Sequence, residues 1–141
     1  MSSYIGRHII IYGDLFLTKK CSRCGNIKPL GDFNICTKNT TDGRAYWCKE
    51  CVNKHAKFRR EQARTFIREY KKTHPCIECG ETDIHLLQFH HINPDTKRYC
   101  ISDMIRQRSG IETIKTEIDK CCVLCVNCHE KVHNGNLDIY K

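Results

Sequence analysis

Apolar residues in this chain come in short bursts whose spacing changes along its length. Ile27 to Phe33 and Ala45 to Trp47 are brief and bounded by turn residues, Cys24-Gly25-Asn26 and Asp42-Gly43, as expected of a few short strands or turns. From Lys54 to Lys72 there is neither Gly nor Pro, and Ala63, Phe66, Ile67 and Tyr70 recur at the spacing of one helical face, which predicts a helix. Pro75 restricts His74 and argues against its continuing. Beyond it, Leu86 to His91 reads as a strand and Ser102 to Arg108 as a short helix, while Ile111, Ile114 and Ile118 mark one face of another. Ser109-Gly110 would break the two helices. This is the pattern of a small α+β protein with an N-terminal module at 1–53, a basic linker helix at 54–73 and a C-terminal module at 74–141.

Modules of this size bury little surface and need another source of stability. The chain has 141 residues with 12 cysteines and 8 histidines, and eight of those cysteines form C-x-x-C pairs at 21/24, 48/51, 76/79 and 125/128. Four pairs make two four-thiolate sites, so zinc is expected to stand in for core in each module. Cys21, Cys24, Cys48 and Cys51 follow C-x2-C-x23-C-x2-C, the spacing of a zinc ribbon or knuckle. The remaining Cys36, Cys100, Cys121 and Cys122 read as small buried apolar residues.

A secreted disulfide framework is the rival account of so many cysteines. The opening residues offer only the apolar run Ile9 to Tyr12, too short for a signal peptide or a membrane span, so a reduced, cytoplasmic protein with no membrane partner is expected. Formal charge is +8, from 24 Lys and Arg against 16 Asp and Glu, which biases binding toward polyanions, nucleic acid first. The basic residues of the 54–73 helix suit phosphate contact, although a charged helix is commonly just a solvated one.

The histidines add chemistry. His129 and His133 are four residues apart, which on a helix brings both imidazoles to one face, able to share an ion. On a strand, His90 and His91 point to opposite faces, so one can bind metal while the other faces substrate. A lone His-His pair is ordinarily unremarkable, but the company of Cys76, Cys79, Cys125, Cys128, His129 and His133 makes this one a candidate site.

Residues 76 to 133 resemble the zinc-knuckle branch of the HNH (ββα-metal) endonucleases, whose pattern is an early C-x-x-C, an acidic residue or His followed by His, and a late C-x-x-C-H opening a helix. The resemblance implies that Cys76, Cys79, Cys125 and Cys128 hold a structural zinc, that His90 and His129 bind a catalytic divalent ion (Mg²⁺, Mn²⁺, Ni²⁺ or Zn²⁺), and that His91 is the general base. His133 resembles the additional ligand of His-rich members such as the nuclease colicins. Two positions depart from the family: His90 stands where many relatives have Asp, and Lys120, nine residues before His129, stands where the middle asparagine usually lies. Imidazole in place of carboxylate should favour softer ions. Asn127 does not fill the gap, because Asn127-Cys-His-Glu130 reads as a helix N-cap and Asn134-Gly135 as the helix end.

The run Glu117-Ile-Asp-Lys-Cys also resembles a phage and bacterial HNH subgroup in which Lys120 is the expected residue. Cys21 to Cys51 is similar to a zinc module of phage-encoded HNH proteins, usually taken as a DNA-binding accessory. Together these imply a phage-encoded endonuclease acting on double-stranded DNA in a bacterial cytoplasm. Lys97, Arg98, Arg106 and Arg108, which follow the His pair, could steer a backbone toward the site, although surface solvation accounts for any one of them equally well. The alternative is a non-catalytic, zinc-dependent nucleic-acid-binding protein, but four-thiolate sites do not require the four histidines.

Overall fold

A computed structural model describes residues 9–12, 16–38 and 40–139, of which 9–12 and 16 by their backbone alone. Part of the opening segment, 1–8, lies outside those residues; its apolar run is strand β1. The molecule is a small α+β protein that divides into two compact units, 1–57 and 58–141.

The first unit has a three-stranded antiparallel sheet, β1 (Ile9–Tyr12), β2 (Phe16–Lys20) and β3 (Ile27–Pro29), and a hairpin of β4 (Phe33–Ile35) and β5 (Arg44–Cys48). Among the described residues its core is Phe33 packed with Cys21, Cys48 and Cys51, flanked by Trp47. A four-residue cluster of this kind is small beside the conformational entropy of ordering a unit of some fifty residues. One buried ion pair adds to it. Lys19 Nζ lies 2.7 Å from Asp42 Oδ2, with side chains only 3% and 4% exposed, and donates to the Arg44 carbonyl at 3.0 Å. Burial raises the Asp42 carboxyl, but Lys19 and the Arg44 N–H outweigh it and hold it below the usual range.

Helix α1 (Lys49–Thr73) begins five residues before the expected Lys54 and contains the unit boundary. Its start directly follows β5, so Cys51 sits in its first turn. Ala63 is buried in the second unit's core, with Phe66, Ile67 and Tyr70 packed against it, so this part of the expected linker is structural.

The second unit continues with β6 (Leu87–His91), α2 (Ile101–Arg106), α3 (Ile111–Ile118), β7 (Cys121–Cys125) and α4 (Val126–His133). The strands pair antiparallel, Leu87 opposite Cys125 and His91 opposite Cys121. That register sets knuckle cysteines at one end of the hairpin and histidines at the other. Two apolar clusters flank it. Leu87, Val123 and Leu124 pack with Cys76, Cys125 and Cys128, and Ile101, Met104, Ile114 and Ile118 pack with Ala63. The spacing of Ile114 and Ile118 is the reason α3 sits as it does. Among the described residues no helix is long and apolar enough to cross a membrane.

Two stability measurements test this packing. Ile114→Ala, at a fully buried position, should cost about 2–5 kcal/mol in denaturant unfolding, whereas Leu86→Ala, at an exposed one, should change little; equal effects would contradict the core assignment. Lys19→Met leaves Asp42 buried without its cation and should destabilise the first unit by about 3–5 kcal/mol; an unchanged melting curve would count against the ion pair.

Candidate functional site

Each cysteine quartet is built from the same two pieces. The first is a knuckle: Gly25 N–H donates to the Cys21 carbonyl and Gly80 N–H to the Cys76 carbonyl, both at 2.9 Å, while Cys21 and Cys76 donate to Asn26 and Glu81. The chain turns back so tightly that Gly25 and Gly80 have φ of 75° and 74°, the left-handed region where a Cβ is penalised. The second piece is a strand running directly into a helix. Cys48 ends β5 and Cys51 follows in α1; Cys125 ends β7 and Cys128 follows in α4. The two halves thus share more than cysteine spacing.

Within each of Cys21/Cys24/Cys48/Cys51 and Cys76/Cys79/Cys125/Cys128 the sulfurs all lie within 4.8 Å of one another. Main-chain N–H groups at the knuckles and strand ends overcome burial at Cys21 and Cys76, holding their thiols below the ordinary range. Burial and the neighbouring thiols push Cys51 and Cys128 up to about 12. Four such groups ionise together only around a cation, and a four-sulfur set is what a structural zinc takes. Both quartets are compatible with structural zinc.

Of the other cysteines, Cys121 and Cys122 are half-buried on β7, and burial pushes both thiols up, Cys121 to about 11. Cys36 is half-buried as well, but Cys100 is exposed and contacts the Ser102 hydroxyl at 3.0 Å, so the expectation that it is a buried apolar residue is corrected. The expected cap at Asn127 is also corrected. The N-cap of α4 is Cys125, whose sulfur accepts the Cys128 N–H at 3.4 Å, and Asn127 lies exposed in the first turn. The thiol that belongs to the quartet takes over the capping role. At the other end, Asn134 is the C-cap and Gly135 follows with φ 71°.

A third cluster lies beyond the second quartet. His90 on β6 meets His129 and His133, one turn apart on α4, with ring centroids separated by 5.0, 5.2 and 4.6 Å. Three ligand nitrogens fall within 4.8 Å of one another. His90 is 7% exposed, His129 half-buried and His133 exposed, so the cluster opens to solvent on the α4 side. Burial first, then the neighbouring imidazoles, keeps His90 and His129 below the usual histidine range and therefore neutral near pH 7, as metal ligands must be. Three imidazoles gathered this closely are a set that could hold a divalent ion.

His91, next along the strand, points elsewhere. Its Nε2 lies 2.9 Å from Glu117 Oε1, and both side chains are nearly buried. Glu117 also accepts the Arg98 N–H at 2.9 Å, the Tyr99 N–H at 3.3 Å and the Lys120 ammonium at 2.8 Å. Burial acts to raise its carboxyl, but these donors bring it down to about 2. Sequence reasoning gave Glu117 no role. Its signal is that it opens the Glu117-Ile-Asp-Lys-Cys run, three residues before Lys120, on the helix that carries Ile114 and Ile118.

All four histidines, with Lys71 and Lys97, line one cleft of about 550 Å³. The other basic residues singled out from the sequence are engaged differently. Arg98 contributes its main-chain N–H to Glu117, Arg106 pairs with Asp103 at 3.1 Å, and Arg108 adopts a positive φ of 64° where α2 gives way to α3.

Elemental analysis of purified protein should find two tightly held zinc ions per chain. Cys24→Ser and Cys79→Ser should each lower that number to one, and wild type with no bound zinc, or variants that keep both ions, would refute the two-quartet assignment.

No protein-family model, no curated protein and no solved structure matches the chain, so its function has to be argued from this geometry and the sequence motifs.

Proposed function

We propose that this chain is a metal-dependent DNA endonuclease of the HNH (ββα-metal) type, phage-encoded, with the first unit serving as a zinc-stabilised DNA-binding accessory. One observation carries the reading: His90, His129 and His133 converge on a cleft that His91 also lines. A protein whose zinc is purely structural needs only the two quartets, and it leaves this cluster without a purpose. Although α2 and α3 lie between them in the chain, β6 and β7 pair antiparallel and β7 runs directly into α4, the two strands and one helix that the resemblance implies, with Cys125 and Cys128 of the second quartet at the β7/α4 junction.

His90, His129 and His133 would hold the catalytic divalent ion. When bound, that ion supplies positive charge against the phosphoryl oxygens and the departing 3′ oxygen. His91 takes a proton from the attacking water, the role of a general base. Lys97 lies on the cleft wall, where a cation orients a phosphate backbone without reading its bases. The expected products carry 5′-phosphates. Because the ligands are imidazoles, Mn²⁺, Ni²⁺ and Zn²⁺ should support activity at least as well as Mg²⁺.

Incubating supercoiled plasmid with the protein and each ion tests the proposal. Wild type should cut the plasmid, and His91→Ala should cut it on the order of 10²–10⁴-fold more slowly with its zinc content unchanged. Failure of wild type with every ion, or equal cleavage by the variant, would leave the non-catalytic nucleic-acid-binding alternative standing.

A further inference from the structure

Glu117 is out of place on α3. Its neighbours on that face, Ile114 and Ile118, are core residues, yet this carboxylate is itself only 3% exposed. A buried carboxylate is costly unless donors surround it. Here three donors hold it independently of His91: two main-chain N–H groups from Arg98 and Tyr99 on Oε1 and the Lys120 ammonium on Oε2. Lys120 also donates to the Thr96 carbonyl at 3.2 Å, so it ties the loop after β6 to the same carboxylate. The Glu117 side chain is therefore oriented before His91 is considered, and it presents Oε1 to the imidazole at 2.9 Å.

An ionised carboxylate only accepts hydrogen bonds. The bond to His91 thus requires the proton on Nε2, and a neutral ring then carries its lone pair on Nδ1. Among the described residues no group bonds that Nδ1. We infer that Glu117 is a positioning residue that fixes His91 in its Nε2–H tautomer and so makes Nδ1 the atom that accepts the proton from water, an inference that rests on the nuclease reading above. As the water O–H bond breaks, the Nδ1–H bond forms, the water oxygen bonds phosphorus, and the 3′ oxygen leaves with its electron pair. The imidazolium produced keeps its Nε2 proton and is stabilised by the carboxylate beside it, which is not itself protonated. Lys120, the residue that departs from the family's middle asparagine, has a job in this scheme as the anchor of Glu117.

Nitrogen NMR of the full-length, zinc-loaded, ¹⁵N-labelled chain in mildly alkaline buffer tests the inference, with His91 identified by the signals missing from His91→Gln. Wild type should show a protonated Nε2 and a bare Nδ1. In Glu117→Gln, whose amide can also donate, the ring should redistribute between tautomers, and kcat for plasmid cleavage should fall about 100-fold or more with KM for DNA and both zinc ions unchanged. A wild-type ring protonated on Nδ1 overturns the inference, and so does a Glu117→Gln chain with the wild-type tautomer and rate. The wild-type spectrum decides the tautomer even if that variant does not fold. The expected tautomer in a chain that cuts no DNA sinks the nuclease reading while the Glu117–His91 pairing stands.

Discussion

Where α4 begins decides nearly everything about the second unit. Cys125 is the last residue of β7, the N-cap of the helix and a member of the second quartet, so the strand register, the helix start and the thiol cluster meet at one residue. With that junction fixed, His129 is the fourth residue of α4 and His133 lies one turn further on. The pairing of β6 with β7 brings His90 to them. A one-residue slip of β6 against β7 would turn His90 away and offer His91 instead. The quartet acts on the histidines through covalent proximity and strand register, with no direct bond needed.

The two adjacent histidines of β6 occupy opposite electrostatic settings. His90 shares its surroundings with two other imidazoles and is kept neutral by burial, the condition for ligating an ion. His91 faces an anchored carboxylate. Alternation along a strand is what makes this separation available, since neighbouring side chains leave on opposite faces. Two residues of the same chemistry thereby acquire different surroundings without any difference in the side chains themselves.

The thiol quartets, the strand Leu87–His91 and the faces of α1 and α3 were legible in the sequence because each rests on local spacing. The sites that were not legible depend on contacts between distant segments. Glu117 has a place in a motif-like run, but its burial and its bond to His91 arise only where β6 and the loop at Arg98 and Tyr99 meet α3. Asn127 suits an N-cap by residue type, but the Cys125 sulfur is already in place to accept the N–H. The start of α1 at Lys49 was hidden for a related reason: Cys48 and Cys51 look like a loop knuckle, whereas they span a strand end and a helix start. Cys100 reads as a small apolar residue by type and is exposed because it precedes α2 at the surface.

Each quartet leaves one thiol at the surface, Cys24 in the first and Cys79 in the second, both from the knuckle. An oxidant or a chelator reaches these sulfurs before the buried ones. In the first unit, where the described core cluster is Phe33 with three of the cysteines themselves, losing that outer ligand would loosen metal and core together. The same tight turn that makes the cluster compact thus also sets where the protein is vulnerable, and ties the lifetime of the fold to the redox state around it.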